Sequence, residues 1–322
     1  MRRREVLGLG VAAAVLPRVA SAQARVYRVG FLTLEPSETA ALLLEPLRAL
    51  GYAEGKTLAF DYRSAAGDPV RLPALAEELV RLHPDVLVAG WGTLAPKALR
   101  AATSTIPIVF STAGDPVGAG LVQTLARPGG NVTGLSGQSA EFKSKQLQLL
   151  EMAVPNQRAI GVLYNPDTPY ALLALKELQA GAEKDGIRLV LLEVRKPADF
   201  SAARLEALVA AGATSLFVLE DPLAVSLRKQ VMAEVDRLRL PTMSGLREYL
   251  DEGALMLYGT NQGDRYRRTA MLVDRILKGA NPAELPVEQP TKFDFIINLK
   301  AARALGVTIP PSVLALADDV IE

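Results

Sequence analysis

Short apolar runs alternate with amphipathic stretches, twice over, and this constrains the fold more than any other feature of the chain. Residues 28–34, 57–62, 85–89, 106–111 and 132–135 are rich in β-branched and apolar side chains and read as five strands. Between them, 40–50, 70–81, 93–102 and 118–126 carry helical spacing. The pattern then restarts. Residues 159–164, 187–194, 214–219, 240–243 and 254–258 read as strands, and 172–184, 202–210 and 223–238 as helices. Val86-Leu87-Val88, Ile108-Val109-Phe110 and Leu216-Phe217-Val218 are apolar without alternation, as in strands covered on both faces. The predicted fold is α/β: two doubly wound parallel-sheet lobes joined by a hinge.

The break between the lobes is expected near residues 126–137. Arg127-Pro128-Gly129-Gly130-Asn131 stops regular structure, and Gly134 and Gly137 flank Leu135-Ser136, where a hinge can rotate. Residues 143–152 then open the second half. A long amphipathic helix over 264–278, a Pro-punctuated stretch over 282–290, a strand over 293–298 and a helix over 299–305 close the chain. These late pieces are expected to cross between lobes. The predicted division is 1–22 as an export signal, 25–135 with 260–285 as the N-terminal lobe, and 136–259 with 286–322 as the C-terminal lobe.

The export signal is read from Arg2-Arg3-Arg4, a short apolar run over 8–16, and Ala20-Ser21-Ala22 before Gln23. The apolar run is about half the ~20 residues that a membrane span needs. Arg3-Arg4 followed by Glu5-Val6-Leu7 fits a twin-arginine signal, with general secretion as the alternative. The expected location is periplasmic. Removing 1–22 takes four Arg and one Glu from 36 basic and 35 acidic residues, leaving 32 against 34. Such a balance offers nothing to a nucleic acid or to an anionic membrane surface. Cysteine is absent, which excludes disulfides, thiolate metal sites, cysteine nucleophiles and a lipid-bearing cysteine.

In parallel sheets, ligands meet the loops after the carboxyl ends of the strands. In the first half these loops hold Thr33 to Ser37, then Gly90-Trp91-Gly92-Thr93, then Ser111-Thr112-Ala113-Gly114-Asp115-Pro116. In the second half they hold Tyr164-Asn165-Pro166-Asp167-Thr168, Glu220-Asp221-Pro222, Ser244-Gly245 and Tyr258-Gly259-Thr260-Asn261. Singly, Asp, Ser, Thr and Asn at such places are helix caps. Together, several helix N-termini aimed at one cleft suit a carboxylate. Asp115, Glu220 and Asp221 are candidates for an ammonium group. Trp91, Tyr164 and Tyr258 are candidates to stack on a flat solute.

Other chemistry finds little support. His83, the single histidine, lies at the opposite end of its strand and reads as structural. With one His and no Cys, a nitrogen or sulfur zinc site is not expected. Neither a Gly-x-Ser-x-Gly elbow nor a phosphate-binding glycine loop is present, so no metal and no cofactor are expected. Asn131-Val132-Thr133 is a glycosylation sequon only in a host that uses it. Arg265, Arg267 and Arg268 read as a solvated helix face.

Several stretches carry a resemblance. They include Ile106-Pro107-Ile108-Val109-Phe110, Asp115-Pro116-Val117-Gly118-Ala119-Gly120-Leu121-Val122 and Leu125-Ala126-Arg127-Pro128-Gly129-Gly130-Asn131-Val132-Thr133-Gly134. Later come Asp264-Arg265-Tyr266-Arg267-Arg268, Leu285-Pro286-Val287-Glu288-Gln289-Pro290-Thr291-Lys292-Phe293 and Ile309-Pro310-Pro311-Ser312. Over nearly its whole length the chain resembles exported substrate-binding proteins of ABC transporters, of the tryptophan- and tyrosine-type family. The resemblance implies a type I periplasmic-binding fold, a small-molecule ligand between the lobes, and delivery to an ABC permease in the inner membrane. It implies a cleft lined around Thr33, Thr93, Asp115, Asn165, Asp221 and Gly245. Trp91, Thr112 and Tyr258 are added from their place in the loops.

The expected function is capture of an amino-acid-like or small aromatic solute by a monomer, without catalysis. The alternative is an exported α/β enzyme using Glu220 and Asp221. A repressor-like sensor is disfavoured by the export signal and by the lack of a DNA-binding segment.

Overall fold

Parallel pairing dominates both sheets of the computed structural model, which describes residues 25–34, 40–137 and 141–322. The expected export signal and residues 35–37 of the first loop lie outside the described residues. The first sheet holds β1 (Tyr27–Thr33), β2 (Leu58–Ser64), β3 (Val86–Trp91), β4 (Ile108–Ala113) and β5 (Val132–Ser136) in the order β2-β1-β3-β4-β5. The second holds β6 (Ala159–Tyr164), β7 (Arg188–Glu193), β8 (Leu216–Val218), β9 (Thr242–Ser244), β10 (Met256–Thr260), β11 (Phe293–Asn298) and β12 (Asp319–Ile321). Their order is β12-β11-β10-β9-β8-β6-β7. Every residue of β3, β4 and β6 is buried, as continuous apolar runs between two helical layers require.

The helices are α1 (Ala40–Ala49), α2 (Leu72–Arg81), α3 (Leu94–Ala102), α4 (Glu141–Ala153), α5 (Pro169–Lys184) and α6 (Ala202–Ala210). They continue with α7 (Pro222–Leu238), α8 (Arg247–Asp251), α9 (Gln262–Leu277), α10 (Leu299–Leu305) and α11 (Pro311–Leu314). Local chemistry sets their ends. Asp221 accepts from the Leu223 amide at 2.8 Å, Pro222 supplies a preset φ in the first turn, and Arg239 in a left-handed conformation stops α7.

Two expectations need correction. Residues 118–126 form no helix; successive turns follow β4 instead, with Gly120 at φ +71° and Asp115 Oδ1 accepting from the Gly118 amide. Glycines at 118 and 120 make a continuous helix costly there. The second sheet is not wholly parallel, because β11 runs antiparallel to β10. That pairing lets the chain leave the sheet through α9 and return along the neighbouring track. Among the elements not anticipated are β12 and the short α8.

The path of α9 matters for the site. It follows β10 of the second sheet, yet it packs on α1, β3, β4 and β5 of the first. Tyr266, Ala270, Leu272, Val273, Ile276 and Leu277 are buried there. Each large aliphatic side chain on that face contributes roughly 1.5–3 kcal/mol by leaving water. Arg265 and Arg268, one turn apart, are thereby carried to the edge of the first sheet.

Gly134 has no room for a side chain: a methyl group there would overlap the Phe110 carbonyl oxygen and stand 2.5 Å from the ring. Gly134→Ala is expected to cost about 1–3 kcal/mol through overpacking of β4 against β5. A lower urea midpoint, with an unchanged denaturant slope, is the expected readout.

Candidate functional site

The carboxyl ends of both sheets face one cleft. Trp91, Gly92, Thr93, Thr112, Gly114 and Arg265 line it from the first lobe, and Thr168, Tyr170, Glu220, Asp221, Pro222, Gly245 and Leu246 from the second. The lobes touch. A methyl group on Gly92 would stand 2.5 Å from Pro222 Cγ, one on Gly67 would stand 2.6 Å from the Ser226 side chain, and one on Gly114 would overlap the Tyr170 ring. Gln262 Nε2 on α9 donates to Glu248 Oε1 on α8 at 3.0 Å. The structure is therefore a closed form. Three glycines permit the approach, and Gly67 and Gly92 also hold positive φ values of +86° and +98°.

The residues singled out from sequence fall into distinct places. Trp91, Thr93, Thr112, Asp221 and Gly245 line the cleft. Trp91 belongs to a buried cluster whose other members, Leu163, Leu223 and Leu227 among them, come from the second lobe, so much of its ring is covered by protein. Thr93 precedes α3 without a side-chain capping bond, leaving its hydroxyl and the first-turn amides for another partner. Asn165 stands one step back: its Nδ2 donates to Asp221 Oδ1 at 3.3 Å. Thr33 is buried beside the Tyr62 hydroxyl at 2.8 Å. Asp115 folds back on the Gly118 amide. The Tyr258 ring lies in an aromatic stack with Phe142 and Phe293, centroids 5.2 and 6.0 Å away, and faces a groove on the outer side of the second lobe.

Burial raises the Asp221 carboxyl to about 6, although the Leu223 amide, Asn165 and Thr168 favour its anion. At neutral pH it is mainly ionised and sits 2% exposed, with no cation bound to it among the described residues. Opposite charge comes from Arg265, whose Nε is buried without a hydrogen-bond partner among the described residues. The solvated-face expectation therefore fails for Arg265. Arg268 is also engaged, donating to Glu288 Oε2 at 2.7 Å, and Arg267 pairs with Asp264. The missed signal was position: the first turn of α9 follows the carboxyl end of β10, so residue 265 reaches the cleft.

Lys143 and Gln146 were also missed. Lys143 is 1% exposed and pairs with Glu220, while its ammonium donates to Gln146 Oε1 at 2.9 Å. Gln146 Nε2 donates to Glu220 Oε1 at 3.0 Å and to the Tyr258 carbonyl at 2.6 Å. A side chain at 245 would overlap the Glu220 carboxylate, which explains Gly245. Burial pushes the Lys143 ammonium below its usual range while Glu220 pulls it back up. Glu220 and Asp221 thus have separate partners. His83 is exposed at the turn between α2 and β3, at the far end of the sheet.

Comparison with known proteins places this geometry among relatives. The profile of the family described as ABC transporter substrate binding protein matches residues 37–321. A curated tyrosine-binding protein of Clostridioides difficile (strain R20291) is 27% identical over 264 residues, 82% of this chain and 75% of the relative. A conserved domain protein from Vibrio cholerae O1 biovar El Tor is 35% identical, with a TM-score of 0.85 over 92% of this chain and all of that one. An ABC domain from Streptococcus pneumoniae, solved in complex with L-Trp, is 28% identical, with a TM-score of 0.84 over the same shares.

Proposed function

This chain belongs to the ABC transporter substrate binding protein family, and from that premise we propose that it captures an aromatic amino acid in the interlobe cleft. One observation carries the reading. A buried carboxylate, Asp221, and a guanidinium whose buried Nε has no hydrogen-bond partner among the described residues, Arg265, line the same cleft from opposite lobes, and Trp91, Phe142 and Tyr170 line it too. Asp221 receives the α-ammonium. Arg265, Thr93 and the first-turn amides of α3 receive the carboxylate. The aromatic residues cover the flat side chain. Because the two charges sit on different lobes, a zwitterion bridges them and favours closure by its differential affinity for the closed form. The L-Trp complex of the pneumococcal relative and the name of the clostridial one support this ligand class.

The wider setting follows from the same reading. Residues 1–22 direct export to the periplasm, by the twin-arginine route on the strength of Arg3-Arg4. The monomer hands its solute to an inner-membrane ABC permease and releases it unchanged. Residues 25–135 with 260–285 form one lobe and 136–259 with 286–322 the other, with the boundary shifted at two places: Ser136 ends β5 of the first sheet, and Val287 and Glu288 pair with Leu125, Gly134 and Ser136 there.

Calorimetry with L-tryptophan, L-tyrosine, tryptamine and indole-3-propionate tests the ligand assignment. The two amino acids are expected to bind at one site per chain, with each truncated analogue at least about tenfold weaker, because a cleft built for a charged group is left with it unpaired. Equal affinity for indole-3-propionate would remove Asp221 from the ammonium role. No binding of either amino acid at millimolar concentration would reject the ligand class. Arg265→Met is expected to weaken L-tryptophan about tenfold or more while leaving tryptamine nearly unchanged.

A further inference from the structure

We propose that Lys143 sets the charge of the cleft and so its preference for zwitterions over amines, although it never touches the solute. The inference rests on the amino-acid reading above. Among the described residues, Glu220, Asp221 and Arg265 are the charged ones in the cleft lining. Left alone, two carboxylates and one guanidinium would give a net negative site that prefers cations. Lys143 removes that excess. It lies on α4 in contact with Glu220, 1% exposed, and its nitrogen stands 4.9 Å from the Phe142 ring centroid and 5.8 Å from those of Tyr170 and Phe217. Whichever partner holds the shared proton, the pair is neutral. Asp221 and Arg265 remain, one charge of each sign, matching an amino acid.

The construction is specific to that purpose. An apolar pair could fill the same volume with no loss of stability. Instead Gln146 fixes Glu220 from the side, Gly245 leaves space for its carboxylate, and two of the aromatic rings around the ammonium also line the cleft. Lys143 is thus a positioning residue acting through Glu220. Besides Glu220, Glu177 on α5 is the other carboxylate whose charge acts on it.

The test reads a ratio: affinity for L-tryptophan over affinity for tryptamine, measured by calorimetry at pH 7 and 8.5. Both solutes carry the ammonium, so titration of Asp221 cancels. Lys143→Met frees the Glu220 charge and is expected to move the ratio about tenfold toward tryptamine, most at pH 8.5. Glu220→Gln leaves the ammonium unpaired and is expected to move it the other way, which keeps the test open if Lys143→Met does not fold. The double variant K143M/E220Q is expected to return the ratio to the native value. Single variants that weaken both solutes equally at both pH values would overturn the charge role and leave Lys143 as scaffold. Native protein that binds neither solute would instead overturn the amino-acid reading beneath it.

Discussion

Asp221→Asn weakens capture of L-tryptophan or L-tyrosine by roughly 2–5 kcal/mol at pH 7, the usual cost of removing one partner of a buried charge pair. Asparagine still accepts from the Leu223 amide, so the cap on α7 survives. The ligand-free variant should therefore melt no lower than the native protein at pH 7, since it no longer buries an anion. Calorimetry and a thermal melt together separate binding from folding. A lower midpoint with native affinity would assign Asp221 to the cap alone.

The same residue gives a pH signature of two opposite signs. Its carboxyl titrates at about 6 in the folded chain against an ordinary 3.8. A raised acid favours the folded state in its neutral form. That contribution is complete below about 3.8 and is lost as pH rises through about 6. Binding needs the anion, so affinity falls as pH drops through about 6. From pH 7 to 5, Asp221 makes the empty protein more stable and the complex weaker. In Asp221→Asn the affinity should be flat over that interval.

Trp91→Ala is the second large effect. Replacing a buried Trp costs about 3–5 kcal/mol in a core. Here the ring belongs to the first lobe and the rest of its buried cluster to the second. The loss therefore falls mainly on the closed form. Apparent affinity drops by the fraction of molecules still able to close. We expect a loss of tenfold or more for every ligand, with little change in the unfolding midpoint of the empty protein. A large fall in that midpoint with affinity intact would make Trp91 ordinary core. Since Trp91 is the sole tryptophan, its emission reports closure directly when the solute is tyrosine.

Much of the architecture was legible because its causes are local. Unalternated runs such as Val86-Leu87-Val88 gave buried strands, and the helix over 202–210 was read to the residue. Residues 118–126 misled because apolar spacing was weighed above Gly118 and Gly120. The cleft was legible as a set of loops but not as a set of partners. Asp221 was visible as a cap after a strand, whereas its neighbour in space, Asn165, lies 56 positions away. Lys143 had a signal: with Gln146, Leu147 and Leu150 it occupies one helical face, where a lysine is out of place. Glu220, which explains it, is 77 residues distant. Trp91 was picked as a residue that meets the ligand; its contacts across the cleft depend on closure, which no local pattern encodes.

The return of α9 to the first sheet bears on how the chain reaches this form. The apolar side of β1, β3 and β4 that meets Tyr266, Val273 and Ile276 stays uncovered until residue 277 has been made. Leu285 joins the same cluster later still. Nearly the whole chain must be available before the first lobe can complete its core. Contacts this distant in sequence fold slowly and leave sticky intermediates. A newly made chain should thus depend on a holding chaperone for longer than a lobe of contiguous sequence would. A fragment ending at residue 258 should be degraded instead of accumulating as a folded half.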